Sequence, residues 1–127
     1  MLRLRELAAI AVLSIATPVL AQEGDVTQGR DLARQHCARC HVIKSYNPYG
    51  GAGNSPTFDR LVTWDDGIAR MASFFQRPPH PVFVRMEGVE PMKNVPATAA
   101  TFELTLEDIE DLVAYAKKLK QKQGSRD

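Results

Sequence analysis

The sequence predicts a small all-α domain in which long loops join a few helices. Helical periodicity is clear in three stretches, whereas the alternation of apolar and polar residues that is typical of strands is scarce. Turn-rich segments between these stretches make up almost half of the chain that follows the N-terminal region. Loops of this length are uncommon in a small helical domain unless something inside it organises them. We therefore predict one domain whose helices do not complete a core by themselves.

The N-terminal region differs in composition from the rest of the chain. Two arginines precede an uncharged stretch, 7–21, which a proline interrupts. A membrane-spanning helix needs about 20 apolar residues, so this stretch is short for an anchor, although a retained anchor stays an alternative. The pattern is typical of a secretory signal peptide with cleavage after Ala21. We predict a signal peptide at 1–21, a mature domain at 22–127, a periplasmic location and no stable membrane insertion.

The first helix is predicted within the segment GDVTQGRDLARQHC, which starts at Gly24. Asp25 can cap this helix, with Gln28 three residues later. One face of the helix carries Val26, Gly29, Leu32 and Ala33. A glycine inside a helix costs on the order of 1 kcal/mol, so Gly29 indicates close packing against another element.

Two further helices are predicted from their caps and their apolar stripes. In the middle helix, Thr63 and Asp66 are expected to form an imperfect capping box, and a pair of prolines ends the periodic stretch. Its apolar stripe is Trp64, Ile68, Met71, Ala72 and Phe75. The last helix is predicted to begin at a Thr105 cap, with Asp108 three residues later. Its apolar stripe is Leu106, Ile109, Leu112, Val113, Ala116 and Leu119.

The charge of the chain does not favour a nucleic-acid partner. The 16 basic residues are scattered, and their one cluster, 117–122, closes the last helix, where cations complement the helix dipole. Without the signal segment, basic and acidic residues are equal in number. No strong field would therefore steer a highly charged partner.

The segment HCARCHVI contains both cysteines of the chain, Cys37 and Cys40, and His41 follows the second directly. A disulfide oxidoreductase would need a strand-then-helix setting, which does not precede Cys37. A zinc site would need further ligands such as His36 or His80, gathered by the fold. Covalent haem attachment gives every residue a role, because the cysteines can reach two vinyl groups and the histidine can bind iron. We predict one haem c per chain, which would also supply the missing core.

Together with this motif, the segments GDVTQGRDLARQHCARCHVI and LTLEDIEDLVAYAKKL resemble the haem box and terminal helices of class I (monohaem) bacterial c-type cytochromes. The resemblance extends from Gly24 to about Leu119. It implies a small cytochrome c fold around one haem, with Cys37 and Cys40 in thioether linkage and His41 as the proximal iron ligand.

Four further residues match positions of this family. The family's first helix has a glycine that lets an aromatic residue of the last helix come close, and Gly29 and Tyr115 match this pair. The segment NSPTF resembles a stretch whose proline carbonyl accepts a hydrogen bond from the ligand histidine, which implies that role for Pro56. Such a bond orients the imidazole and raises its basicity. Trp64 resembles a tryptophan that faces a haem propionate in some members, but core packing is the preferred interpretation.

The sixth iron ligand is expected on the loop before the last helix, where the resemblance implies a methionine. We predict Met92, because two nearby prolines stiffen its segment and it lies near the last helix. His41 and Met92 would then be the two metal ligands. Met86, in a segment that alternates like an extended strand, and His80, which would give a bis-histidine site, stay alternatives. Met71 is assigned to the core.

These expectations predict a periplasmic electron carrier and no enzyme activity. Iron with both axial positions filled has no room for a substrate. Its chemistry is therefore the gain and loss of one electron, with no substrate bound to the iron. The partners would be a redox protein donor and a redox protein acceptor. Two alternatives stay open: a haem sensor or peroxidase-like protein with an open distal iron site, and a haem-free exported protein with a disulfide.

Overall fold

The structure is a computed structural model that describes residues 23–125, and α-helices form most of its regular structure. The helices are α1 (Val26–Leu32), which continues as a π-helical turn (Ala33–Cys37), α2 (Phe58–Thr63), α3 (Gly67–Ser73) and α4 (Leu106–Gly124). Short 3₁₀ helices cover Phe74–Gln76 and His80–Val82, and two strands are β1 (Val84–Met86) and β2 (Phe102–Leu104). The all-α prediction is confirmed, with a small strand pair added. The signal peptide predicted at 1–21 lies outside the described residues.

Helix α4 lies at the centre of the packing and contacts α1, α2 and α3. Its predicted capping box is present, because the Thr105 hydroxyl accepts from the Asp108 amide at 3.1 Å and the Asp108 carboxylate accepts from the Thr105 amide at 2.7 Å. Most of its apolar stripe is buried or half-buried. Leu106 is an exception at 70% exposure, so its assignment to the buried stripe was wrong. Among residues 23–125, no helix is long and apolar enough to cross a membrane.

Helices α1 and α4 cross with their backbones in close approach at Gly29. A Cβ atom at Gly29 would collide with the Asp111 carbonyl and crowd the Leu112 amide. The Asp111 carboxylate also accepts a hydrogen bond from the Asp25 amide at 2.6 Å, which joins the start of α1 to α4. The expected close approach at Gly29 is therefore present, and the atoms nearest to it belong to the α4 backbone. Tyr115, one turn further along α4, packs against Phe58, with ring centroids 6.1 Å apart.

The middle of the chain differs from the prediction, because a separate short helix precedes α3. The Thr57 hydroxyl caps α2 by accepting from the Arg60 amide at 3.2 Å. Thr63 ends α2 and donates its hydroxyl to the Arg60 carbonyl at 2.8 Å. The Asp66 side chain makes no cap at α3 and accepts from Arg70 Nε at 2.8 Å. The capping box predicted for Thr63 and Asp66 was therefore wrong, since each side chain has another partner.

Strands β1 and β2 pair in parallel, with Val84 opposite Phe102 and Met86 opposite Leu104. The alternation around Met86 correctly indicated an extended segment. The pairing closes a connection, 87–101, that is mostly exposed to solvent. This connection carries Met92.

Candidate functional site

A cavity of about 570 Å³ lies within the domain and is lined largely by apolar and aromatic side chains. Cys37, Cys40, His41 and Pro56 all line it. Phe58, Leu61, Trp64, Met71, Phe74 and Phe83 contribute apolar lining. The structure therefore brings four of the five predicted site residues to one cavity, although 19 positions separate the first from the last.

The tight turn after α1 places the cysteines and the histidine together. The Cys37 carbonyl accepts hydrogen bonds from the Cys40 amide at 3.0 Å and from the His41 amide at 2.8 Å. The Cys40 carbonyl in turn accepts from the Ala52 amide at 2.8 Å, which joins the turn to the following loop. The three side chains therefore reach the cavity from one hydrogen-bonded turn.

Asn47 holds this turn through three side-chain hydrogen bonds. Its carbonyl oxygen accepts from the Ile43 amide at 2.7 Å, and its amide nitrogen donates to the Ala38 carbonyl at 2.8 Å and the His41 carbonyl at 3.2 Å. Asn47 was not identified from the sequence. Its place in a turn-rich segment was the available signal, because asparagine side chains often bond nearby backbone groups in turns.

The imidazole of His41 is oriented by a backbone carbonyl. Its Nδ1 lies 2.7 Å from the Pro56 carbonyl oxygen, so the hydrogen bond expected from the sequence is present. A carbonyl oxygen only accepts, so Nδ1 carries the proton and Nε2 keeps its lone pair. Phe58 packs edge-on against the ring, with centroids 5.8 Å apart. His41 therefore has one orientation and one nitrogen available to a metal ion.

Both cysteines carry free thiols. Burial, together with a smaller effect of the neighbouring Cys40, raises the pKa of the Cys37 thiol to about 12. A thiol with such a pKa stays protonated and is a poor nucleophile for disulfide exchange. This environment does not favour the oxidoreductase interpretation. Within residues 23–125, no group of three or more histidine, cysteine or acidic side chains is placed to hold a metal ion.

The structure does not bring Met92 to this cavity. The Met92 side chain is 50% exposed and lies beside a separate pocket of about 20 Å³. Strand pairing holds together the two ends of its connection, and the middle of the connection lies in solvent. Met86 is buried in β1 and borders the same small pocket. Met92 as an iron ligand stays a prediction from the sequence, and the cavity geometry favours another residue.

His80 lines the large cavity together with His41. The centroids of the two rings are 6.1 Å apart and their planes are inclined by 10°. His80 Nδ1 lies 3.0 Å from the Arg77 carbonyl oxygen, and Phe74 packs edge-on against its ring at 5.2 Å. Burial lowers the pKa of His80, so its imidazole is neutral at pH 7.

Comparison with known proteins gives a family match and one significant relative among curated proteins. The family model for cytochrome c matches residues 26–120. Cytochrome c-552 of Bradyrhizobium diazoefficiens is 33% identical over 72 residues, which are 57% of this chain and 66% of that protein. The chain thus spans just under two thirds of that relative's length. No solved structure matches the chain significantly.

Proposed function

The chain belongs to the cytochrome c family, and we propose that it works as a one-electron carrier in the periplasm. As a c-type cytochrome it carries covalently attached haem c. One observation carries the proposal: two cysteine thiols and a histidine converge on a single apolar cavity. These residues are Cys37, Cys40 and His41, and the Pro56 carbonyl orients the histidine.

The side chains around the cavity fit this cofactor. The cavity volume of about 570 Å³ lies within the range of roughly 300–1,000 Å³ that is common for cofactor sites. Cys37 and Cys40 supply the thiols for two thioethers, and His41 supplies a lone pair on Nε2. The aromatic lining supplies the large apolar contact that a porphyrin needs. We infer that these three residues attach the haem and bind its iron from the proximal side.

Haem c supplies one-electron oxidation and reduction at its iron. The protein contributes the proximal ligand His41, whose basicity increases through the hydrogen bond to Pro56. Phe58 and Phe74 line the cavity with apolar surface. With both axial positions of the iron filled, the site would exchange electrons without binding a substrate, so we propose a carrier and not an enzyme.

Electrons would enter and leave where the cysteine turn reaches the surface. Arg39 is exposed between the two cysteines, and Cys40 is half-exposed. A donor and an acceptor redox protein would dock here through a small, weak contact, which suits rapid exchange. The predicted signal peptide at 1–21 would direct the chain to the periplasm.

Haem staining after denaturing electrophoresis tests the attachment. The protein is produced in a periplasm with a working cytochrome-maturation system, and the wild type should stain. Cys37→Ala or Cys40→Ala leaves at most one thioether and should lower the yield of stained protein. His41→Ala should stop maturation or leave the iron weakly bound. Lys44→Ala, an exposed position beside the motif, should stain like the wild type, and an unstained wild type would refute the proposal.

Carbon monoxide distinguishes the carrier from its alternatives. Sharp bands of the reduced protein that carbon monoxide does not change indicate a closed site and an electron carrier. Bands that shift with carbon monoxide indicate an open site, as in a sensor or a peroxidase-like protein. A protein without haem bands would be a haem-free exported protein.

A further inference from the structure

We propose that His80 is the second axial ligand of the haem iron, so that this cytochrome has bis-histidine ligation. The inference rests on the proposed function, because it requires haem in the large cavity with His41 on the proximal side. The second iron ligand would then be a residue of the short segment between α3 and β1, and not Met92 as the sequence predicted.

The distance between the two imidazoles fits a shared metal ion. Two imidazoles that bind one ion through Nε2 at about 2.0 Å each place their ring centres about 6 Å apart. The rings of His41 and His80 are 6.1 Å apart, with planes 10° from parallel. The near-parallel rings of His36 and Phe102, which also line this cavity, have centroids only 4.3 Å apart. His41 and His80 are therefore farther apart than rings in direct stacking contact.

The two imidazoles also present the same nitrogen for coordination. His41 Nδ1 lies 2.7 Å from the Pro56 carbonyl, and His80 Nδ1 lies 3.0 Å from the Arg77 carbonyl. Both carbonyls accept a hydrogen bond from Nδ1–H, so in each neutral ring the free lone pair is on Nε2. A hydrogen bond from the other ring nitrogen is the usual support of a metal-bound histidine. The imidazole of His80 is therefore oriented by a backbone carbonyl in the same way as that of His41.

The segment that carries His80 is rigid enough to hold a ligand. Three prolines surround His80, at positions 78, 79 and 81, and each restricts the backbone. The His80 amide donates to the Arg77 carbonyl at 3.0 Å, and its carbonyl accepts from the Phe83 amide at 2.8 Å. The edge of Phe74 adds a contact to the ring. Little conformational entropy would be lost when this side chain binds iron.

The methionines among residues 23–125 are placed less favourably than His80 for binding the haem iron. Met92 is half-exposed, and Met86 lies in β1 beside a different pocket. Met71 lines the large cavity but belongs to the packed core of α3. The His80 ring, by contrast, lies 6.1 Å from the His41 ring and is nearly parallel to it.

The ferric spectrum of the haem-loaded protein tests the inference without any substitution. A methionine ligand gives a weak sulfur-to-iron charge-transfer band at the red end of the visible spectrum. We expect no such band in the wild type, together with a low-spin ferric resonance typical of two nitrogen ligands. A sulfur band in the wild type would overturn the inference. Covalent haem would still be present in that case, so the proposed function would stand.

Two substitutions of His80 sharpen the test. His80→Met should create the sulfur band and raise the reduction potential, because a thioether favours reduced iron. His80→Ala should open the site, so that carbon monoxide binds the reduced protein and shifts its bands, whereas the wild type should not respond. If His80→Ala does not mature, the spectra of His80→Met and of the wild type still show whether His80 binds the iron. A His80→Met protein with the wild-type spectrum and potential would contradict the inference.

Methionine variants serve as matched controls. Met92→Ala and Met86→Leu, which lie beside the separate small pocket, should keep the wild-type spectrum and potential. Gain of carbon monoxide binding in Met92→Ala would identify Met92 as the ligand, as the sequence suggested, and the same result in Met86→Leu would identify Met86. A wild type that itself binds carbon monoxide would show that His80 does not occupy the iron. Absence of covalent haem from the wild type would instead refute the proposed function.

Discussion

At the scale of single residues, the site depends on side chains that hold backbone turns as well as on the groups that bind the cofactor. Asn47 connects Ile43, Ala38 and His41 through three hydrogen bonds. It therefore fixes the start and the end of the turn that contains both cysteines. Pro56 and Arg77 act in a similar way through their carbonyl oxygens, since each orients one imidazole of the cavity.

Replacement of Asn47 should destabilise the holoprotein. Asn47→Ala leaves the half-buried polar groups of the turn without their partners, which should lower the free energy of unfolding by about 1–3 kcal/mol. Denaturant unfolding of the haem-loaded protein measures this change. Asn54→Ala removes an exposed asparagine from the same loop and should change stability by less than about 0.5 kcal/mol. Equal effects of the two substitutions would show that the Asn47 contacts do not hold the turn.

At the scale of secondary-structure elements, the crossing of α1 and α4 decides the packing of the domain. The backbones meet because residue 29 has no side chain, and any Cβ there would collide with the Asp111 carbonyl. The hydrogen bond from the Asp25 amide to the Asp111 carboxylate fixes the same contact from the end of α1. The glycine lowers the intrinsic stability of α1, and the close contact offsets this loss.

A side chain at this crossing should strongly destabilise the fold. Gly29→Leu forces the helices apart, and overpacking of this kind costs about 1–3 kcal/mol or more. Thermal unfolding of the holoprotein should therefore show a clearly lower midpoint. Gly124→Ala is the matched control, because a Cβ there meets nothing within 4 Å and the residue is also helical. It should leave stability unchanged or raise it by up to about 1 kcal/mol. A Gly29→Leu protein as stable as this control would contradict the described crossing.

At the scale of the whole molecule, the protein is built around a space that its own side chains do not fill. Among residues 23–125, three of the four α-helices have only 6 or 7 residues. Helices shorter than about 12 residues are marginal in water without tertiary contacts. The cavity of about 570 Å³ is lined by residues of α2, α3 and both strands. We expect haem to fill this space and to complete the packing of these elements, in addition to providing the redox chemistry.

The apoprotein should accordingly be poorly folded. Chain produced without haem attachment should show much less helix by circular dichroism than the holoprotein, because the short helices lose the surface against which they pack. Its thermal transition should be broad or absent. Apo and holo forms with the same helicity and the same heat resistance would show that haem does not organise the core.

The sequence alone determined the features that depend on neighbours along the chain. Cys37, Cys40 and His41 are close in space because one turn contains them, and the terminal helices follow from the apolar period and from caps at Asp25 and Thr105. The hydrogen bond from His41 to the Pro56 carbonyl was expected from the family resemblance, and the structure contains it. Local spacing carries this information because it fixes distances within a turn or a helix.

Only the tertiary structure decided the features that depend on the path of the loops. Helix α2 and the two strands are too short for a clear period, and parallel pairing joins segments that lie far apart in sequence. The partner of Gly29 and the exposure of Leu106 follow from how helices cross. Our proposal of His80 in place of Met92 as iron ligand also depends on the path of the loops. Proximity to the last helix favoured Met92, but Met92 is 50% exposed, whereas the centroid of the His80 ring lies 6.1 Å from that of His41.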